Sequence, residues 1–163
     1  MLLFKCMPVD LYFFDNAPYL FEYQVKIPAP AEKVFNVLED WETWPKWYKN
    51  IRKIQPTGDK KNGLGSTRIT TMTSGIAADE TFFIWEPNQK IAFYTTRVNL
   101  PSVRALAEIY ELVPIDDNTC FFNYTVGVDP IFPFGLTGNL GKKIVEQVFK
   151  DAPQSLANYM QQQ

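Results

Sequence analysis

Two glutamates, an arginine and a tyrosine, all in strand-like sequence, are the residues best placed to do chemistry. Arg68 and Glu80 flank the breaker pair Ser74 and Gly75. If the connection is the loop Thr73, Ser74 and Gly75, with Gly75 at positive φ, Arg68 falls directly opposite Glu80 on the neighbouring strand. The two then share one face of a sheet. On an interior face they must satisfy each other and can orient a polar ligand head. On the outer face they form a cross-strand ion pair worth about 0.2 to 1 kcal/mol. Glu80 alternates with Phe82 and Ile84, but Thr81, Phe83 and Trp85 on the other parity are equally bulky, so either face can be the interior. Glu108 alternates with Leu106, Tyr110 and Leu112, whereas Glu111 shares parity with Ala107 and Ile109. If Glu108 and Tyr110 point inward, a desolvated carboxyl beside a phenol can serve as acid or base toward a carbonyl group. A strand glutamate that reaches water is the commoner situation. Tyr94, Arg97 and Asn123 are further strand residues able to supply hydrogen bonds, on either face.

Other chemistries are removed by composition. The chain contains no histidine, which eliminates Ser-His and Cys-His nucleophile pairs, histidine metal sites and the usual near-neutral proton shuttle. No metal, nucleotide or other cofactor is expected. The segment 135–143 has glycines before a lysine at a helix start, yet Leu136 stands where a phosphate loop needs glycine and Lys143 where it needs Ser or Thr. Cys6 and Cys120 lack metal or redox spacing and are expected to be buried free thiols of a reducing compartment. The Asn-Tyr-Thr sequon at Asn123 lies in strand-like sequence and is taken as chance. The 16 basic and 18 acidic residues are interspersed, so neither nucleic acid nor a charged membrane surface is an expected partner. Lys5 interrupts the apolar start and Pro8, Asp10 and Asp15 follow it, so no secretion signal is expected. No run approaches the roughly 18 apolar residues of a spanning helix. A cytoplasmic protein without stable membrane insertion is the default expectation, and oligomeric state is left open.

These groups must be positioned by a fold of one domain, 1–163, with a single core. Phe21, Tyr23, Val25 and Ile27 alternate with polar residues and predict a strand at 19–27. Pro30 suits a helix start, and Ala31, Val34, Phe35 and Leu38 give the following helix one apolar face. Pro45 then divides the tryptophan-rich stretch, so two short helices are expected. Trp41 and Trp44 read as packing, and Trp47 as the ring at a cavity mouth. Strands follow at 51–55, 66–73, 77–86, 91–98, 105–113 and 119–128, joined mostly by short turns as an antiparallel meander. The longer connection at 99–104 is able to fold over an opening. After a breaker-rich approach at 132–141, Leu140, Ile144, Val145, Val148, Phe149, Ala152, Leu156, Tyr159 and Met160 recur with helical spacing. Pro153 must kink or divide that helix, with Asp151 as a candidate N-cap. Residues 10–18 read as a short edge strand or a packed arm.

In this order, the segments IPAPAEKVFNVLEDWETWPKW, GLGSTR, ETFFIWEPNQKIAFY and ALAEIYELVP resemble the START-related (SRPBCC, birch-pollen-allergen-like) superfamily and its polyketide cyclase/dehydrase and lipid-transport-like members. The resemblance implies an α+β helix-grip fold, a curved antiparallel sheet of about seven strands wrapped around a long C-terminal helix. It also implies a cavity for a small hydrophobic or amphipathic ligand: a lipid, an isoprenoid or a polyketide-like molecule. Within such a cavity the expected ligand-contacting residues are Arg68, Glu80, Phe82, Tyr94, Glu108, Tyr110 and Trp47, with Val145 and Phe149 from the helix. The fold hosts carriers, sensors and cyclases alike, so a binding role is the first expectation and cyclase/dehydratase chemistry by the Arg, Glu and Tyr groups the alternative.

Overall fold

The computed structural model describes residues 2–131 and 133–163. Met1 and Phe132, which belong to the apolar start and the breaker-rich approach, lie outside the described residues. The chain begins with a two-residue strand, β1 (Phe4–Lys5), and a short helix, α1 (Tyr12–Asn16). Residues 10–18 are therefore a helical arm rather than a strand. The arm packs on the outer face of the sheet, where a Cβ on Gly127 would come within 2.8 Å of the Phe13 ring, so any larger residue there would have to displace that ring.

The strand β2 (Tyr19–Ile27) leads into α2 (Ala31–Glu39), which buries Ala31, Val34, Phe35 and Leu38. Pro30 stands one residue outside the helix in extended geometry and caps it by position only. The next helix, α3 (Trp44–Trp47), is separated from α2 as Pro45 requires. Two side chains close the gap between them. The Thr43 hydroxyl donates to the Asp40 carbonyl at 2.7 Å and the Trp44 indole N–H to the Leu38 carbonyl at 3.0 Å, satisfying backbone acceptors that the end of α2 leaves open.

The remaining strands are β3 (Ile51–Thr57), β4 (Thr67–Met72), β5 (Ala77–Glu86), β6 (Lys90–Val98), β7 (Val103–Asp116) and β8 (Thr119–Pro130). All pair antiparallel in the order β2-β8-β7-β6-β5-β4-β3. Gly75 has φ 90° and closes the β4–β5 turn with its N–H on the Met72 carbonyl, and this register sets Arg68 opposite Glu80. β6 and β7 pair only from Lys90 to Tyr94. Beyond that point β1 takes over the edge of β6, and the amide of Met7 bonds the carbonyl of Arg104 on β7. The N-terminal arm thus fills the place where the two strands part.

After a single 3-10 turn (Phe134–Leu136), α4 (Asn139–Phe149) and α5 (Ala152–Met160) lie across the curved sheet. Leu156, Ala157 and Met160 are among the most deeply buried residues. The two helices divide at Lys150 and Asp151. Asp151 occupies the N-cap position of α5 but makes no capping hydrogen bond, so the division rests on Pro153, whose ring and missing N–H prevent a continuous helix. A curved antiparallel sheet around a C-terminal helical segment, with short helices after the first long strand, is the helix-grip fold. Among the described residues no helix is long and apolar enough to cross a membrane.

Candidate functional site

A cavity of about 270 Å³ lies between the inner face of β4 to β8 and the helix α4. Its walls are mostly aliphatic and aromatic. α4 contributes Ile144, Val145, Val148 and Phe149, and the β6–β7 connection contributes Leu100 and Ser102. Ile144 is 47% exposed and Leu100 39%, which places the mouth of the cavity between α4 and that connection. The polar groups sit at the opposite end, in two clusters.

The first is built on β4 and β5. Arg68, 1% exposed, donates from Nε to Glu80 Oε2 at 2.6 Å, and the Thr70 hydroxyl donates to the same oxygen at 2.9 Å. Four rings surround the guanidinium. Its Cζ lies 4.3 Å from the ring centre of Trp44, 4.6 Å from Phe93, 4.9 Å from Phe82 and 5.4 Å from Trp41. Cation–π attraction and the Glu80 carboxylate together make the buried charge tolerable. Nη1 is nevertheless buried with no partner.

The second cluster is built on β7 and β8, where Tyr110 stands opposite Tyr124. Both hydroxyls donate to Glu108 Oε2, Tyr110 at 2.9 Å and Tyr124 at 2.7 Å. Burial, reinforced by the nearby Glu80 carboxylate, pushes the Glu108 carboxyl up to about 7, against the opposing effect of the two tyrosine hydroxyls and of Arg68. Burial and the Glu108 charge hold both phenols well above their ordinary range, so they remain donors. Tyr48 lines the same cavity and bonds the Val148 carbonyl of α4, with burial raising its phenol as well.

Of the residues expected at the site, Arg68, Glu80, Glu108, Tyr110, Val145 and Phe149 line the cavity. Three do not. Phe82 shares the inward parity of Glu80, but the Trp41 ring stacks on it at 5.5 Å and seals it from the cavity. Tyr94 belongs to the outer parity of β6 and packs on Phe83 at 5.8 Å. Trp47 and Trp44 exchange roles. The Trp44 ring is held over the cavity by its bond to Leu38 and by the Arg68 cation, while Trp47 stacks behind it on Tyr48 at 5.6 Å. Arg97 pairs with Asp79, and Asn123 accepts from Gln24, both away from the cavity. Thr70, Tyr48 and Tyr124 were not anticipated. Thr70 has the parity of Arg68, and Tyr124 follows from the β7–β8 register, so both carried a signal; Tyr48 carried none. Among the described residues, no group of His, Cys, Asp and Glu stands together in a way that could hold a metal ion.

Residues 20–161 match the family described as polyketide cyclase/dehydrase and lipid transport. An uncharacterized protein of Mycobacterium bovis is 38% identical over 113 residues, covering 69% of this chain and 68% of its own, and one from Mycobacterium tuberculosis is equally similar. Among solved structures, a START superfamily protein from Mycobacterium smegmatis superposes with TM-score 0.76 at 16% identity, over 88% of this chain and 98% of that one. The ZhuI aromatase/cyclase of a Streptomyces species gives TM-score 0.72 at 14% identity, over 87% and 93%. At such identities the structural likeness speaks for the fold alone.

Proposed function

The chain belongs to the polyketide cyclase/dehydrase and lipid transport family, and on that premise we propose that it is a single-domain carrier or sensor, 1–163, that binds one small, largely apolar molecule between the sheet and α4. The observation that carries this is an apolar cavity whose inner end holds a few fixed polar groups, Glu80, Glu108, Tyr110 and Tyr124 among them. Pockets built for small molecules have this composition, apolar walls with a few fixed polar groups that orient the ligand. A cavity of about 270 Å³ lies just below the usual range of roughly 300 to 1,000 Å³. It suits a single apolar chain or a fused-ring aromatic and is too small for a two-tailed lipid. The buried free thiols of Cys6 and Cys120 suit a cytoplasmic setting, and the reading involves neither nucleic acid nor a cofactor.

The test is native mass spectrometry of the freshly purified protein, followed by incubation with a panel of fatty acids, isoprenoids and fused-ring aromatic ketones. A retained or acquired small molecule is the expected result. Absence of any bound molecule and of uptake from the whole panel overturns the reading.

One observation favours a second reading. Glu108 titrates near neutrality between two phenols, which is what general acid–base work on a carbonyl-bearing chain requires. As a cyclase/dehydratase, the protein would use Glu108 for enolisation and water loss, with Arg68 and Tyr110 steadying the carbonyl oxygens and the cavity wall bringing reactive carbons together. Glu108→Gln then abolishes turnover while leaving binding in place, whereas a carrier has no turnover to lose.

A further inference from the structure

The two tyrosines leave Glu108 lopsided. Both hydroxyls converge on Oε2, and Oε1 receives no hydrogen bond from any described residue although Glu108 lines the cavity. With Oε2 already accepting two O–H groups, a proton on this carboxyl belongs on Oε1. In the protonated state Glu108 therefore presents a donor to the cavity, and in the ionised state a bare negative oxygen.

Every other charged or titratable group facing Glu108 is accounted for. Arg68 from β4 and Glu80 from β5 balance one another, Tyr110 and Tyr124 donate from β7 and β8, and Tyr48 approaches from the end of α3. α4 presents only Ile144, Val145, Val148 and Phe149. Ionising Glu108 thus leaves the inner end of the cavity with an uncompensated negative charge. Protonating it leaves one unused donor there, Oε1–H.

Resting on the binding reading above, we propose that the cavity selects an apolar ligand whose polar end is an uncharged carbonyl oxygen, that protonated Glu108 donates to this oxygen, and that ligand and one proton are taken up together. No covalent step is involved. The carbonyl oxygen supplies the acceptor that this donor lacks, and a ligand amine would meet a protonated acid instead.

Three probes of one shape separate the possibilities: 2-acetylnaphthalene, its alkene isostere 2-isopropenylnaphthalene, and 1-(2-naphthyl)ethylamine. Binding to the full chain is followed by fluorescence titration at about pH 5 and about pH 9, on either side of the Glu108 value of about 7. At the lower pH the ketone binds about tenfold or more tighter than the alkene, the worth of a hydrogen bond to a buried polar group. At the higher pH the ketone loses about tenfold or more while the alkene is unchanged. Glu108→Gln keeps an N–H donor that does not titrate, so its affinity for the ketone is the same at both pH values. Equal binding of ketone and alkene, a pH-independent ketone affinity in the unsubstituted protein, a pH dependence that survives in E108Q, or a preference for the amine each overturns the proposal while leaving the cavity as a binding site. If no probe binds a protein whose circular dichroism shows it folded, this inference falls; the binding reading falls with it only when the whole native mass spectrometry panel is refused as well.

Discussion

Glu80 and Glu108 are the same residue type, 5% and 7% exposed, and line one cavity from β5 and β7. Their surroundings set them apart. Glu80 has a guanidinium nitrogen at 2.6 Å and a hydroxyl on the same oxygen, so its charge is neutralised in place. Glu108 has two hydroxyls and no adjacent cation, so desolvation prevails and its carboxyl rises to about 7. Hydroxyls stabilise a carboxylate through dipoles, whereas a cation cancels its field, and in a low-dielectric cavity that difference decides the charge state. Burial alone therefore assigns neither residue a role; the compensating partner does. The first carboxyl is one half of an ion pair, and the second meets hydroxyls alone and is pushed up by burial.

The sharpest way to break this contrast is to remove the cation. Arg68→Met leaves the Glu80 carboxylate buried and unpaired and is expected to cost about 3 to 5 kcal/mol in urea unfolding near neutral pH. A loss under about 1 kcal/mol would show that Glu80 does not depend on Arg68. Next in size is the pH dependence belonging to Glu108. Its carboxyl is raised from 4.5 to about 7, so the folded state binds more protons than the unfolded one across that window. Stability is fully present below the lower value and is lost as pH rises through the upper one, by about 3 kcal/mol in all. Unfolding curves of Glu108→Gln lack this slope, while those of Glu80→Gln, shifted to lower stability throughout, show it reduced, because the Glu80 charge that helps to raise Glu108 is gone and Arg68 is left to oppose the shift.

A smaller effect separates the two kinds of support. Tyr124→Phe removes one donor from Glu108 and costs about 2 kcal/mol above pH 7, where the carboxyl is ionised. It also moves the Glu108 titration further upward, which NMR of carbon-13-labelled glutamate can follow. Smallest of all is the outer-face control. Asp79 neighbours Glu80 in sequence but pairs with Arg97 on the solvent side, where Arg97 is half exposed. Arg97→Ala should cost no more than about 1 kcal/mol and become undetectable in high salt.

Some of the site could be read directly from the chain. Arg68 lies opposite Glu80 because the β4–β5 turn is short and Gly75 supplies the one positive φ it needs, both local properties. The parity of Glu108 was open, because leucines and a tyrosine on one side balance alanines and an isoleucine on the other. The structure settles it through curvature and the position of α4, which leave Glu111 outside against Lys90 at 2.8 Å. The tryptophans show the same limit. Pro45 announces that the helix breaks, but which indole faces the cavity depends on which backbone carbonyl is left open and on where Arg68 arrives from another strand. The sequence assigns Phe82 to the cavity and Trp41 to packing; only their contact makes one the cover of the other.

Taken alone, the sequence determined the elements from residue 19 onward and their order, the turn that pairs Arg68 with Glu80, the division near Pro153 and the absence of histidine chemistry. These follow from periodicity, from the backbone limits of glycine and proline, and from composition, all of which act over a few residues. Only the tertiary structure decided which carboxyl meets a cation and which meets hydroxyls alone, which tryptophan faces the cavity, and that two phenols from different strands converge on one oxygen. Those outcomes depend on distances between groups far apart in the chain, and on a desolvation that no residue carries until the sheet has curved around α4.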